Sequence, residues 1–496
     1  MTSPLRAALA LLLTAGLLAG CSSDDDDGGD AAGDTTTTTQ EAAREPNVEP
    51  ATLEGPITVG DLAGPAEPRG TDLEAIGYVQ EEFFASGEAR SYTAEAQPSP
   101  DGTWTATPDE TAPYKTRFVV RRPADDDRFN GTVVVEWLNV SAVEASPEWS
   151  YASPAIIDAG AAWVGVSAQA LGVVGGTAII QTGSPEQAGG NGGIRAGNPE
   201  RYGSLAHPGD AFAFDIYSQI GAALREPGDA APLGEGEARH VLAAGESQSA
   251  GYLTGYVNGF QKDTNVFDGF LIHSRGSGGA HVDGTRAIRG ATTPYRLRTD
   301  LDVPIMVFET ETDVGPLLKY ALARQPDTEL LRTWEVAGTA HADKYLIEKS
   351  GFSPCPAPVN SGPQHYVVTA ALEALMRWVE DGEAPAKGER IETGGDGTAI
   401  VRDEMGIALG GIRTPPVEAP VTVLSGDTQE GAPVLCALFG KTTPLSPEAI
   451  KDLYPTREDY LESFDQALDD AVDHGFVRKA DRDDFAAEAR AYEFPE

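Results

Sequence analysis

His240-Val241-Leu242-Ala243-Ala244-Gly245-Glu246-Ser247-Gln248-Ser249-Ala250-Gly251 carries an apolar run into a turn of small residues and then into helix-forming sequence. An apolar run without polar alternation marks a strand buried on both faces, as in the parallel sheets of α/β proteins. A sharp strand-to-helix turn strains the residue at its bend and brings neighbouring backbone within contact distance, so small residues must flank it. Gly245 and Ser249 meet that need, and Ser247 stands at the bend. The plainer alternative for Ser247 is an ordinary helix cap.

The same alternation of strand and helix extends outward from this turn. Upstream, Ile76 to Tyr92 alternates loosely, as antiparallel edge strands do, and Tyr114–Arg121 and Gly131–Leu138 are apolar runs. The second of these, with Val133, Val134 and Val135, has the β-branched content of a buried strand, and Ala162–Ser167 is another. A Gly-rich stretch from Gly172 to Gly203 precedes an amphipathic helix over Asp210–Leu224. Downstream the spacing predicts helix Ser249–Phe260, strand Phe267–His273, strand Val303–Phe308, a short helix Pro316–Leu322, strand Leu331–Val336 and helix Tyr366–Asp381. Strands alternating with helices in this way predict an α/β fold with a mostly parallel central sheet covered on both faces. Chemistry in such sheets gathers at the carboxyl ends of the strands. Insertions at about 171–200, 274–299 and 383–420 are expected to form cap-like structure, and the helical segment Ser446–Tyr492 is expected to pack on the body.

A serine hydroxyl is a weak nucleophile at neutral pH and needs a base, which in turn needs a carboxylate to orient it and compensate its charge. Strand Val303–Phe308 ends in Glu309-Thr310-Glu311-Thr312-Asp313, and strand Leu331–Val336 ends in Ala337-Gly338-Thr339-Ala340-His341. His207 and His273 lack that placement; lining the pocket is their alternative to a structural role. No His-x-x-x-His or Cys-x-x-Cys ligand spacing is present, so no metal site is expected. Gly189-Gly190-Asn191-Gly192-Gly193 does not join a strand to a phosphate-binding helix and reads as a loop, and no cofactor is expected.

Gly245-Glu246-Ser247-Gln248-Ser249 resembles the Gly-x-Ser-x-Gly elbow of the α/β-hydrolase superfamily, departing from it at Ser249. The superfamily orders its residues Ser, acid, His along the chain, which implies Ser247 as nucleophile and His341 as general base. Its pattern of a proline opening the acid strand puts Asp313 in register when counted from Pro304, with Glu311 as the alternative acid. It also implies an oxyanion hole built from the N–H of Gln248 and a donor in Leu138-Asn139-Val140-Ser141, with Asn139 and Val140 as candidates. More narrowly, the chain is similar to bacterial proteins described as alpha/beta hydrolase domain-containing. That likeness rests on Glu136-Trp137-Leu138-Asn139-Val140, Arg201-Tyr202-Gly203, His207-Pro208-Gly209-Asp210, Asn360-Ser361-Gly362-Pro363 and Gly411-Ile412-Arg413-Thr414-Pro415, beside the elbow itself. The resemblance implies a serine hydrolase forming an acyl-enzyme from a small-molecule ester. A serine peptidase or amidase, and a non-catalytic surface-binding lipoprotein on the same scaffold, are the alternatives.

Arg6 followed by the apolar core Ala7–Leu17 reads as an export signal too short for an ordinary membrane span. Leu18-Ala19-Gly20-Cys21 resembles the bacterial lipobox, which implies a signal peptide over 1–20, lipid on Cys21 and an extracytoplasmic protein anchored to the cell membrane. Residues 21–47, with an aspartate run and a threonine run, bury no core and read as a solvated tether, leaving 48–496 as the hydrolase body. Cys355 and Cys436 are then the remaining cysteines, enough for one disulfide in an exported chain or for two buried thiols. A formal net charge of −41 argues against a basic nucleic-acid surface.

Overall fold

The computed structural model describes residues 44–67, 70–94, 98–180, 193–285, 294–348, 355–429 and 431–495. The signal segment, Cys21 and residues 21–43 of the tether lie outside the described residues, as do 181–192 and 286–293 of the first two of the three expected cap insertions. Attachment to the body starts ahead of Val48. The Asn47 N–H donates to the Thr264 carbonyl at 2.7 Å, and Arg44 pairs with Asp268 at 3.3 Å. Among the described residues no helix is long and apolar enough to cross a membrane.

Nine strands form one sheet: β1 (Thr52–Glu54), β2 (Tyr78–Thr93), β3 (Thr107–Pro123), β4 (Thr132–Trp137), β5 (Ala162–Val166), β6 (His240–Glu246), β7 (Gly269–His273), β8 (Ile305–Thr310) and β9 (Leu331–Val336). Their spatial order is β1-β2-β3-β5-β4-β6-β7-β8-β9. The first three strands pair antiparallel, as does β3 with β5, and from β5 to β9 every pairing is parallel. The order reverses around β4, so the loop after β4 meets the loop after β6 at a switch point, where a parallel sheet opens a crevice.

Alternation along the buried strands sorts the core into two layers. Val133, Val135, Val241 and Ala243 face one side with Phe214, Tyr217, Tyr252 and Tyr256. Val134, Leu242 and Ala244 face the other with Trp149, Tyr151, Val367 and Leu372. Because both faces are covered, these strands contain no polar alternation. The first layer is supplied by helices α2 (Ala213–Ala223) and α3 (Gln248–Gly259), the second by α1 (Pro147–Ala159) and α5 (Gln364–Asp381).

Two local expectations need correction, and one helix had no expectation attached. No helix was expected between Leu138 and Ala162, where α1 carries Pro147 in its first turn and Pro154 in its interior. Pro147 is tolerated in the first turn, where its missing N–H has no partner anyway. The N–H groups of Glu148 and Trp149 donate at 3.0 Å to the carboxylate of Glu136 at the end of β4, which caps the helix from a distance in sequence. The helix expected over Pro316–Leu322 is instead a single turn, α4 (Glu311–Val314), and a separate 3₁₀ turn at Tyr320–Ala323. The strand expected at Tyr114–Arg121 is the inner part of the much longer β3.

The expected helical segment at the C-terminus divides into α6 (Pro447–Leu453), α7 (Arg457–Asp473) and α8 (Arg482–Ala491). Their apolar faces, including Tyr460, Phe464, Leu468 and Phe485, share a core with Tyr366 of α5. The segment from 383 to 420 runs along β9: the Ile412 N–H bonds the Glu335 carbonyl and the Ala337 N–H bonds the Ile412 carbonyl. This gives the Gly411-Ile412-Arg413-Thr414-Pro415 motif a structural task, that of prolonging the sheet edge beside His341.

Candidate active site

Ser247 is the residue between β6 and α3, with φ 59° and ψ −111°. For a side chain bearing a Cβ this conformation costs about 1–3 kcal/mol and persists where the surroundings impose it. They do so here: the Ser247 N–H donates to the His273 carbonyl at 2.8 Å, and its carbonyl accepts from the Gly251 N–H at 3.1 Å. A Cβ on Gly245 would stand 2.9 Å from the Ser249 Cβ, so the strand can meet the helix this closely only with glycine.

The acid and the base arrive on adjacent strands. The Ser247 Oγ lies 2.7 Å from His341 Nε2, and His341 Nδ1 lies 2.6 Å from Asp313 Oδ1. With Nδ1–H donating to the carboxylate, Nε2 is left as a hydrogen-bond acceptor for the Ser247 hydroxyl. Asp313 is fully buried, and its Oδ2 accepts from the Thr310 N–H at 2.7 Å, the Thr310 hydroxyl at 2.6 Å and the Ser274 hydroxyl at 2.7 Å. Burial works against its charge. The facing His341 and the bonds from His341, Thr310 and Ser274 outweigh burial and hold the carboxyl below its usual range. Thr310, not Asp313, is the N-cap of α4, and Asp313 closes the capping box three residues on.

Glu311, the other candidate acid, is turned away from the imidazole. Its Oε1 accepts from the Gly338 N–H at 2.6 Å, and its Oε2 accepts from the Gly426 N–H at 3.0 Å and from Arg402 at 2.8 Å. It ties the turn that carries the acid to the turn that carries the base. Gly338 has φ 73°, a left-handed conformation that favours glycine, and a Cβ there would meet Val417 at 2.5 Å. Asn360 completes the clamp by donating to the carbonyls of Gly338 at 3.1 Å and Ser425 at 3.2 Å. A disulfide joins Cys355 to Cys436, with Cα atoms 5.5 Å apart. Just beyond Cys436, the Leu438 carbonyl takes the Ala342 N–H at 3.0 Å and the Phe439 carbonyl takes the Asn360 N–H at 2.9 Å.

Of the residues expected to hold an oxyanion, the structure removes Asn139. Its backbone N–H bonds the Ala145 carbonyl at 3.0 Å, and its amide donates at 3.1 Å to both the carbonyl and Oε2 of Glu246. No donor is left to aim at a substrate. The Val140 N–H donates at 3.1 Å to the side-chain Oε1 of Gln248. Gln248 opens α3, so its own N–H has no acceptor within the helix. The Gln248 side chain is itself held: its Nε2 donates to Gln169 at 2.7 Å, and Gln169 donates to Asp210 at 3.1 Å. Asp210 also takes the Ala170 N–H at 2.9 Å, while His207 bonds the Ala168 carbonyl at 3.0 Å. The His207-Pro208-Gly209-Asp210 motif thus braces this wall.

Sequence reasoning missed Glu246. Its Oε1 lies 3.4 Å from His341 Nε2. Burial pushes its carboxyl up to about 7, opposed by His341 and His273 and assisted by Glu148 and Asp313. Directly behind it, His273 lies fully buried with Nδ1 3.2 Å from Glu148 Oε1. Burial pulls the His273 imidazole down, but the Glu148 carboxylate outweighs this and raises it. The available signal was a carboxylate amid the small apolar residues of a buried strand end, where an ionisable group is costly and marks a site.

Residues 53–487 match the family described as Alpha/beta hydrolase domain, and the chain belongs to that family. No curated protein sequence matches it. Among solved structures it is similar to a glucuronoyl esterase from Solibacter usitatus, with 11% identity, covering 54% of this chain and 71% of that one at a TM-score of 0.25. It is also similar to a serine hydrolase without lid from Xanthomonas campestris, with 13% identity, 52% and 88% coverage and a TM-score of 0.26. An esterase from the fungus Rhizomucor miehei matches with 13% identity over 60% of this chain and 85% of that one, at a TM-score of 0.30.

Proposed function

We propose that this protein is a serine hydrolase that cleaves carboxylic esters of small molecules through an acyl-enzyme, with Ser247 as nucleophile, His341 as general base and Asp313 as its orienting acid. The observation that carries the reading is the continuous chain from Ser247 Oγ to His341 Nε2 at 2.7 Å and from His341 Nδ1 to Asp313 Oδ1 at 2.6 Å, beginning on a strained turn.

In this mechanism His341 Nε2 takes the hydroxyl proton as Ser247 Oγ bonds the substrate carbonyl carbon. The carbonyl oxygen becomes an oxyanion, received by the Gln248 N–H and by the Val140 N–H once the Gln248 side chain yields it. The imidazolium, compensated by Asp313, then returns its proton to the departing alkoxide, leaving the acyl group on Ser247. Water deprotonated by His341 attacks that ester, the acid product departs and Ser247 is regenerated. Esters rank ahead of amides because resonance makes an amide carbonyl less electrophilic and its nitrogen must be protonated before it can leave.

The same proposal places the enzyme outside the cytoplasm, tethered through lipid on Cys21; the lipobox resemblance and a cystine in the body support this. Assay of the purified protein and its Ser247→Ala variant against p-nitrophenyl esters of graded acyl length tests the chemistry. Turnover lost in the variant with an unchanged melting temperature is expected; equal turnover in both proteins would refute it.

A further inference from the structure

We propose that Glu246 is a second carboxylate acting on the His341 imidazole, set against Nε2 as Asp313 is set against Nδ1, and that it governs the pH at which Ser247 becomes nucleophilic. The inference rests on the serine-hydrolase reading and adds to it a positioning residue that works through the base.

The elbow itself does not call for a glutamate. Its steric demands fall on Gly245, which must admit the Ser249 Cβ, and on the strained Ser247. A carboxylate between them bears the cost of burial, so its retention requires another cause. Its orientation supplies one. Asn139 donates at 3.1 Å to both the carbonyl and Oε2 of Glu246, which pins the side chain and leaves Oε1 3.4 Å from His341 Nε2. Ser247 Oγ contacts that same nitrogen at 2.7 Å. The nitrogen that receives the serine proton therefore stands between the nucleophile and a fixed acid.

The charged and titratable groups acting on Glu246 come from every neighbouring element. They are His341 after β9, Asp313 in α4, His273 at the end of β7, and Glu148 and Tyr151 in α1. The His341 imidazolium offers direct compensation at its carboxylate oxygen. An ionised Glu246 therefore favours the protonated base, just as Asp313 does. The sign follows: a stabilised imidazolium loses its proton at higher pH, so Glu246 moves the acid limb of activity upward. Above that limb, the same charge assists proton transfer from Ser247. Because Glu246 and His341 interact strongly, their protons leave as a coupled pair.

The test is the second-order rate at which a fluorophosphonate labels Ser247 in the full chain, measured as a function of pH. Glu246→Gln keeps an oxygen for Asn139 and removes the charge. It should lower the midpoint of the acid limb by roughly 1 to 3 pH units, the range for loss of an opposite charge at this separation, and reduce the plateau several-fold. Glu246→Asp retracts the charge by one methylene and should move the midpoint the same way by less. Melting curves establish that each variant is folded, and either folded variant decides the matter. A midpoint equal to that of the wild type overturns the role of Glu246. Absence of labelling at Ser247 in the wild type would instead overturn the serine-hydrolase reading beneath it.

Discussion

Replacing Asp313 by asparagine changes the shape of the acid turn hardly at all and removes the property on which the imidazole depends. The native Oδ2 accepts from three donors, the Thr310 N–H, the Thr310 hydroxyl and the Ser274 hydroxyl, while Oδ1 accepts from His341 Nδ1. An amide has one oxygen, and the fixed Thr310 N–H claims it. The amide nitrogen then faces Nδ1, which must become an acceptor, so the imidazole proton moves to Nε2, the nitrogen that should receive the serine proton. A tautomer fixed wrongly in this way costs about 10³ to 10⁴ in turnover, or about 4 to 5.5 kcal/mol of transition-state stabilisation. Glu311→Gln provides the contrast. It weakens the bonds to Gly338, Gly426 and Arg402 and should cost about 1–3 kcal/mol of folding stability, with a much smaller loss of kcat/KM. Ester turnover and urea unfolding, measured on both variants, separate the two roles. A greater loss of kcat/KM in folded Glu311→Gln than in Asp313→Asn would refute the assignment.

Other consequences are open to measurement. The Cys355–Cys436 bridge closes a separation of 81 residues, so replacing both cysteines by alanine should cost about 4–5 kcal/mol on the chain-entropy account, read as a lower urea midpoint. Activity should fall in parallel, since the segment after Cys436 holds Ala342 and Asn360; full activity near the new midpoint would contradict that coupling. Asp313 also contributes to acid stability. Its carboxyl lies below the usual range in the folded chain, so its stabilisation is fully present above the unfolded value of about 4 and is lost as pH falls through the lower folded value. The stability difference between wild type and Asp313→Asn should therefore shrink from pH 5 to pH 2 in urea titrations, and a constant gap would count against it.

What the sequence made legible was local or ordered. The strand, small-residue turn and helix around Ser247 follow from side-chain size and apolar pattern alone, and the succession of strands yields the parallel sheet. Asp313, with Glu311 as its alternative, and His341 came from the superfamily resemblance, whose chain order matches carboxylate and histidine at successive strand ends. What escaped depends on partners distant in sequence. Helix α1 is started by Glu136 across a loop, which no window around Pro147 and Pro154 can reveal. Asn139 stood among the oxyanion candidates, but its N–H is bonded to Ala145 and its amide to Glu246. Pro316 suggested a helix start, but Thr310 and Asp313 had already capped a turn upstream. Glu246 occupies a position that the elbow pattern treats as free, so its approach to His341 became apparent only in three dimensions.

The central claim is that the hydroxyl of Ser247, raised on a strained turn against His341, is the reacting group. Treating the protein with a fluorophosphonate and mapping the adduct by peptide mass spectrometry tests it most directly. A single stoichiometric adduct on Ser247 is expected, absent from Ser247→Ala and formed far more slowly in His341→Ala. An adduct on another residue, or no adduct with a folded protein, would contradict it.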